Sequence, residues 1–273
     1  MNHSSFNALN RRSFLGRSAV IAPALFPFVL KGATGDDAKN ADTLKIGLVG
    51  CGGRGTGAAQ QALSADYNTT LYAVADAFAE KAEASVKMLG DTFAARVDVP
   101  KERQFVGLDA YQKLIQICDV VILASPPGFR PTHLQAAVDA GKHIFCEKPM
   151  AVDPAGYRVA LDAIKKSQEK KLCVVAGYCW RRSASRREAF DRLHNGEIGE
   201  LNSVYATYYT GPVKPMPEAS ARKPEWSDVE WQVRNWYNFS WLSGDGLVEQ
   251  AVHSVDKVAW AFKDADPISC VAT

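Results

Sequence analysis

The sequence predicts an α/β fold, with a doubly wound parallel sheet in its first part and a second, smaller α+β region after it. Three observations carry that prediction. Short, near-continuous apolar runs alternate with helical segments over residues 44–177, the pattern of a parallel sheet covered on both faces. The first apolar run leads straight into a cluster of glycines. After residue 178 the alternation stops, and Trp, Tyr, Pro and Arg become frequent.

The elements follow in order. Residues 44–49 read as a buried strand, and residues 58–63 as the helix after the glycines. A second strand covers 70–75 and a helix covers 78–89. Residues 119–124 form a strand ending in the loop Ser125-Pro126-Pro127-Gly128. Pro131 opens a helix to Ala140, with Gly141 placed to stop it. Residues 143–146 are a strand, Asp153-Pro154 starts a helix to about Lys170, and residues 172–176 are a strand. In the second region, 183–194 is an Arg-rich helix, 201–210 a β-rich run and 211–224 a Pro-rich loop. An aromatic stretch, 226–241, leads to a helix over 246–262.

The 273 residues are 47% hydrophobic and 23% charged, the mix of an ordinary globular protein. No uninterrupted apolar run reaches the length of a conventional membrane span. Residues 1–40 differ from the rest. Arg11-Arg12 precedes a short apolar run, 19–30, broken by Pro23 and Pro27 and followed by small residues. This is the pattern of a twin-arginine export signal, and it predicts a periplasmic or otherwise exported protein that folds in the cytoplasm first. The segment holds five of the 32 Lys+Arg and two of the 30 Asp+Glu, which leaves 27 against 28 in the body, a net charge of −1. Such a body is no nucleic-acid binder. The six cysteines (Cys51, Cys118, Cys146, Cys173, Cys179, Cys270) show neither C-x-x-C nor zinc-like spacing, and most read as small core residues. No metal site is expected.

Gly50-Cys51-Gly52-Gly53-Arg54-Gly55 fits G-x-G-x-x-G between a strand and a helix. The first glycine makes the tight turn, the second admits a pyrophosphate and the third allows close helix–strand packing. The helix N-terminus then offers N–H groups to the phosphates. Asp76 ends the second strand, where its carboxylate can accept both hydroxyls of an adenosine ribose and repel a 2′-phosphate. The expected cofactor is therefore NAD rather than NADP, on a Rossmann domain of residues 41–177. Asp76 can equally cap the helix that follows.

Glu147-Lys148-Pro149 follows a strand of that domain, at the ligand-binding end of a parallel sheet, where Lys148 can hydrogen-bond a substrate hydroxyl. Pro149 fits a fixed turn with a cis bond. Glu249, His253 and Asp256 fall at i, i+4 and i+7 of the 246–262 helix, a polar stripe on one face, with His253 the natural proton acceptor. Each of these groups, taken alone, reads as well as a solvated surface feature.

Together these segments resemble the glucose–fructose oxidoreductase / inositol dehydrogenase / MocA family of oxidoreductases. The residues that carry the resemblance are the glycine motif, Ser125-Pro126-Pro127 with His133, the run from Gly141 to Pro149, and residues 244–256. The resemblance implies a C-terminal domain, residues 178–273, with an open and mainly antiparallel sheet, here shorter than is usual for the family. It implies Lys148 and His253 as catalytic residues, with Glu249 where many members carry an aspartate. Ser125, Pro126 and His133 match positions near the nicotinamide, and Glu147, Gly53 and Arg54 join the cofactor set. Arg181, Trp236 and Asp256 are the candidate substrate residues, and Trp226, Trp231, Tyr237 and Trp241 offer further flat surfaces for a sugar ring. The expected reaction is hydride transfer between the nicotinamide and a hydroxyl carbon of a sugar or polyol. An NAD-dependent glycosidase working by transient oxidation and a non-catalytic ligand-binding protein are the alternatives. A homo-oligomer through the open sheet fits an exposed sheet face.

Overall fold

The structure, a computed structural model, describes residues 43–65 and 68–271, so the export signal expected over residues 1–40 lies outside the described residues. Asp42–Thr273 form one compact unit.

Six strands make a single parallel sheet: β1 (Leu44–Val49), β2 (Thr69–Asp76), β3 (Gln104–Val106), β4 (Val120–Leu123), β5 (His143–Cys146) and β6 (Val174–Ala176). Their order is β3-β2-β1-β4-β5-β6 and every pairing is parallel. This is the order of a dinucleotide-binding sheet, in which the direction of winding reverses beside β1 and opens a crevice at the strands' C-terminal ends. The crossovers are α1 (Gly53–Ala65), α2 (Ala79–Phe93), α3 (Ala110–Ile117), α4 (Arg130–Asp139) and α5 (Pro154–Glu169).

Alternation along each strand divides the core. Val121 and Leu123 face a cluster with Leu114, Leu134 and Val138, whereas Ile122 between them joins Leu48, Leu63 and Leu71 on the other face. Each fully buried leucine contributes roughly 1.5–3 kcal/mol, so the two clusters hold the sheet rigid beneath the crevice. Local signals set the helix ends. The Asp153 carboxylate accepts the Gly156 N–H at 2.7 Å and Pro154 occupies the first turn of α5. Gly141, at φ +71°, ends the α4 segment in a conformation that favours glycine.

Several expectations need correction. β3 and α3 were not anticipated: three residues are too few to display a period, and α3 spans only eight. The fourth strand starts at Val120, and Asp119 before it joins Lys45 through its N–H, which donates to the Lys45 carbonyl at 2.9 Å, and its carboxylate, which accepts the Lys45 N–H at 2.8 Å. Residues 201–210 form no ladder; their β-type side chains have no partner strand among the described residues, and Tyr205 and Tyr209 are exposed. After Ala176 the described elements are helical: α6 (Ala184–His194), α7 (Asp228–Arg234), a short turn Ser240–Ser243, a π-helical turn Leu247–Ala251, and α8 (Val252–Ala261). The expected continuous helix over 246–262 is thus two segments, with a wider turn ahead of the α-helix. Of the cysteines, only Cys51, Cys118 and Cys146 are buried; Cys173 and Cys179 flank the edge strand β6, and with Cys270 they are exposed.

Among the described residues no helix is long and apolar enough to cross a membrane, and no group of three or more His, Cys, Asp or Glu is placed to hold a metal.

Candidate functional site

β1 ends at Val49 and the chain turns through Gly50 at φ +92°. A Cβ on Gly50 would lie 2.5 Å from the Ser125 nitrogen, and one on Gly55 would lie 1.8 Å from the Gly50 carbonyl oxygen. These two glycines are required by the turn and by the seat of α1 on the sheet. Gly52 and Gly53 differ: a Cβ on either would meet no protein atom within 4 Å. Packing does not demand glycine there, whereas close approach of a pyrophosphate to the α1 N-terminus does, so the loop fits a dinucleotide. Gly55→Ala is expected to lower the thermal unfolding midpoint and cost about 1–3 kcal/mol or more in a denaturant titration, because the carbonyl it meets is backbone. Gly53→Ala should leave stability nearly unchanged.

Asp76 stands at the end of β2. Its Oδ2 accepts the Cys51 N–H at 2.7 Å and its Oδ1 accepts the Phe78 N–H at 3.0 Å. It is therefore both a brace for the glycine loop and a turn-former before α2, and each oxygen keeps a lone pair for a ribose hydroxyl. Burial pushes its pKa up.

A cleft of about 550 Å³ runs along this sheet edge, from Asp76 past Gly50 and Gly52 to Ser125, Pro126 and His133. Ser125 Oγ and His133 Nδ1 are 2.9 Å apart in the buried end. Burial, assisted by the Arg130 charge, depresses the His133 pKa to about 4. The folded protein therefore disfavours protonated His133. Its contribution to stability is complete above the unfolded pKa of about 6.5 and is lost as the pH falls from there towards 4. The loss amounts to roughly 3 kcal/mol. A His133→Asn variant should show a smaller decline than the parent over that window in urea unfolding followed from pH 7 to pH 4.

Glu147, Lys148 and Pro149 follow β5, and the Lys148–Pro149 peptide is cis as anticipated. Buried Glu147 accepts from Arg54 Nε at 2.7 Å, so the two residues expected at the cofactor join each other across the end of the sheet. Lys148 Nζ donates to Glu249 Oε1 at 2.8 Å and to the Glu249 carbonyl. Glu249 is buried and Lys148 is partly buried in this ion pair. Glu249 Oε2 is buried with no partner. Burial raises the Glu249 pKa, opposed by the Lys148 hydrogen bond.

His253 lies in the first turn of α8, stacked on Trp180 with ring centroids 4.9 Å apart. Burial first, and then the neighbouring Lys148 charge, lower its pKa, so the ring is neutral near pH 7 and able to take a proton. Glu249 is expected to orient His253 or a neighbouring hydroxyl, and its carboxylate is engaged by Lys148. The π-turn breaks the i, i+4 register between them, and the Glu249 carboxylate turns to Lys148.

The three candidate substrate residues divide between two clefts. Arg181 donates to Asp256 through Nε at 2.8 Å and to Asp264 through Nη1 and Nη2 at 2.9 and 2.6 Å. Two carboxylates occupy its donors, raise its pKa and make the Arg181–Asp256 pair a brace for α8 beside a second cleft of about 510 Å³. Trp236 lies in the wall of the dinucleotide cleft, with Trp226 and Trp231. Trp241 packs edge-on to Phe129 at 5.9 Å.

Sequence reasoning misses Arg130 and takes Tyr237 only as a flat surface for a sugar ring. Arg130 is fully buried and donates to the Ser125 carbonyl through Nη2 at 2.5 Å and to the Pro149 carbonyl through Nη1 at 2.6 Å. It ties the deep end of the cleft to the turn that carries Lys148. Tyr237 shares a hydrogen bond with Gln250, which also accepts from Tyr208 at 2.9 Å, and Glu249 helps raise its pKa after burial. An arginine between Phe129 and Pro131 gives no periodic signal of burial, and Tyr237 sits in an aromatic stretch without a repeat.

Residues 44–176 match the family model GFO_IDH_MocA, described as an oxidoreductase family with an NAD-binding Rossmann fold. Inositol 2-dehydrogenase of Rhizobium meliloti (strain 1021) is 26% identical over 231 residues, which are 85% of this chain and 58% of that protein. Glucose-6-phosphate 3-dehydrogenase of Bacillus subtilis (strain 168) is 27% identical over 221 residues, 80% of this chain and 54% of that protein. The chain thus spans little more than half the length of these relatives. A crystal structure of a 3-ketoreductase from Actinomadura kijaniata, in complex with NADP and TDP-benzene, shares the fold with a TM-score of 0.58 at 20% identity, over 81% of this chain and 58% of that one. Residues 44–176 thus have the fold of an NAD-binding Rossmann domain and are similar to the Gfo/Idh/MocA oxidoreductase family.

Proposed function

We propose that the protein transfers a hydride between a nicotinamide cofactor and a hydroxyl carbon of a sugar or polyol, with NAD favoured over NADP by the Asp76 carboxylate. The observation that carries this reading is the meeting of Lys148, held by Glu249, with a neutral His253, on the turn that Arg130 joins to the deep end of the dinucleotide cleft. Relatives named as inositol and sugar-phosphate dehydrogenases support the substrate class.

When bound, the nicotinamide supplies the hydride acceptor. The protein's residues do the rest. Glu249 accepts two of the three Lys148 donor directions through its carboxylate and its carbonyl, which leaves the third for the reacting oxygen. His253, kept neutral, takes the hydroxyl proton. Arg54–Glu147 closes the sheet end beside them. The pattern at Arg11-Arg12 supports a protein that folds and loads its cofactor before export.

The test is a panel of inositols, aldoses and sugar phosphates assayed at 340 nm with NAD and with NADP. Turnover with NAD on at least one polyol or sugar, lost in His253→Ala while NAD still binds, is the expected result. NAD binding with no turnover on any member of the panel would sink the reading.

A further inference from the structure

Three of the aromatic residues expected to offer flat surfaces to a sugar line the long cleft itself. Trp226, Trp231 and Trp236 stand in the same cleft as Gly52 and Asp76. Trp226 and Trp231 are neighbours, with ring centroids 6.2 Å apart. What fastens them there is Arg234. Its guanidinium lies 3.8 Å from the centre of the Phe78 ring and 4.5 Å from that of Trp226. Its Nη1 donates to Glu80 at 2.6 Å and its Nε and Nη2 reach Glu230 at 2.9 Å. Phe78 and Glu80 immediately follow Asp76 at the β2–α2 connection. The Pro-rich loop joins the same point, since Lys214 Nζ donates to the Arg234 carbonyl at 3.1 Å.

This wall has a definite chemistry. Opposite Asp76 it offers aromatic faces, and the ammonium groups of Lys81 and Lys214 also line the cleft. Aromatic faces suit a purine, a carboxylate suits ribose hydroxyls, and ammonium groups suit phosphates. Sugar binding in the Lys148–His253 region does not call on these residues.

We propose that residues 214–236 form the second half of an adenosine-phosphate site, fastened to the Rossmann sheet by Arg234, so that the adenosine end of the dinucleotide is held between Asp76 and the Trp226–Trp231 wall. The inference rests on the dinucleotide reading of the glycine loop and is independent of any turnover. It assigns the tryptophans to the cofactor and leaves the sugar to other residues.

The full chain would be titrated with ADP-ribose, and separately with nicotinamide mononucleotide, while tryptophan emission is followed. ADP-ribose should quench the emission, Trp226→Phe should remove a large share of the quenching, and the mononucleotide should quench little. Arg234→Gln should weaken ADP-ribose binding by roughly tenfold or more. Glu80→Gln, at a side chain 57% exposed and so tolerated by the fold, should weaken it in the same direction. Circular dichroism and melting of each variant separate loss of the wall from loss of folding. Unchanged ADP-ribose affinity in both Arg234→Gln and Glu80→Gln, with undiminished quenching in Trp226→Phe, would overturn the proposal and leave the dinucleotide reading intact. Failure of the parent protein to bind ADP-ribose, NAD or NADP would remove both. ADP-ribose binding that depends on Arg234 without turnover of any sugar would support the proposal and count only against the reaction.

Discussion

Lys148→Met is expected to reduce turnover by roughly 10²–10⁴-fold and at the same time to destabilise the fold. The two effects have one origin. Glu249 is buried and Lys148 only partly exposed, at 9% and 12% side-chain exposure, and one Glu249 oxygen already lacks a partner. Removing the ammonium leaves a buried carboxylate facing a methionine, a change that costs about 3–5 kcal/mol. The sign of the pH dependence follows. Burial raises the Glu249 pKa, and the variant loses the Lys148 hydrogen bond that opposes it. Protonation then relieves the unpaired charge, so the deficit should be largest at alkaline pH and shrink as the pH falls towards 5. The double variant Lys148→Met/Glu249→Gln should recover much of the stability and none of the activity. Urea unfolding at pH 5.5 and pH 8, beside the turnover assay, decides the matter. Equal deficits at the two pH values, or a double variant no more stable than the single, would contradict the buried-pair account.

Arg130→Met carries the second large effect. Arg130 is 2% exposed, and its two hydrogen bonds end on backbone carbonyls of Ser125 and Pro149. Its charge acts on both Glu249 and Glu147, and burial lowers its own pKa. Methionine in its place leaves two buried acceptors without donors, each worth about 1–3 kcal/mol, and removes a compensating positive charge. A total near or above 3 kcal/mol is expected in denaturant titrations. Arg130→Lys should recover only part, because one ammonium cannot reproduce a planar fork that spans two carbonyls. Dinucleotide affinity should fall in both variants, since Ser125 sits at the deep end of the cleft. A lysine variant as stable as the parent would show that the charge matters and the fork does not.

These two residues also mark how far the sequence could be read. Lys148 was legible because its surroundings are local: a strand, then Glu-Lys-Pro at the sheet's ligand-binding end. The glycine turn, Asp76 and the Asp153 cap are local in the same sense. The partners were not legible. Arg54 and Glu147 are separated by 93 residues, Lys148 and Glu249 by 101, and Arg181 and Asp264 by 83. No periodicity or spacing rule reaches across such distances, and each pairing reassigns a side chain that, taken alone, points towards a ligand. The tryptophans of 226–236 illustrate the same limit. Composition identified flat apolar surfaces, but only the Arg234 contacts with Phe78 and Glu80 decide which cleft they line. β3 was missed for a different reason, because three residues carry no alternation to detect.

The π-helical turn at Leu247–Ala251 makes the site sensitive to a kind of change that substitutions do not probe. Such a turn holds one residue more than the α-helical ladder needs. Deleting a single residue within it would let the turn close into regular α form, and the residues inside the turn, Glu249 among them, would change the face they present while those beyond it kept theirs. The Glu249 side of the turn would swing away from Lys148 while His253 kept its place against Trp180. Chain length in this one turn is therefore a phase setting between the two chemical groups, and a loss or gain of one residue there should silence the protein more completely than most replacements, with little change in its overall helix content.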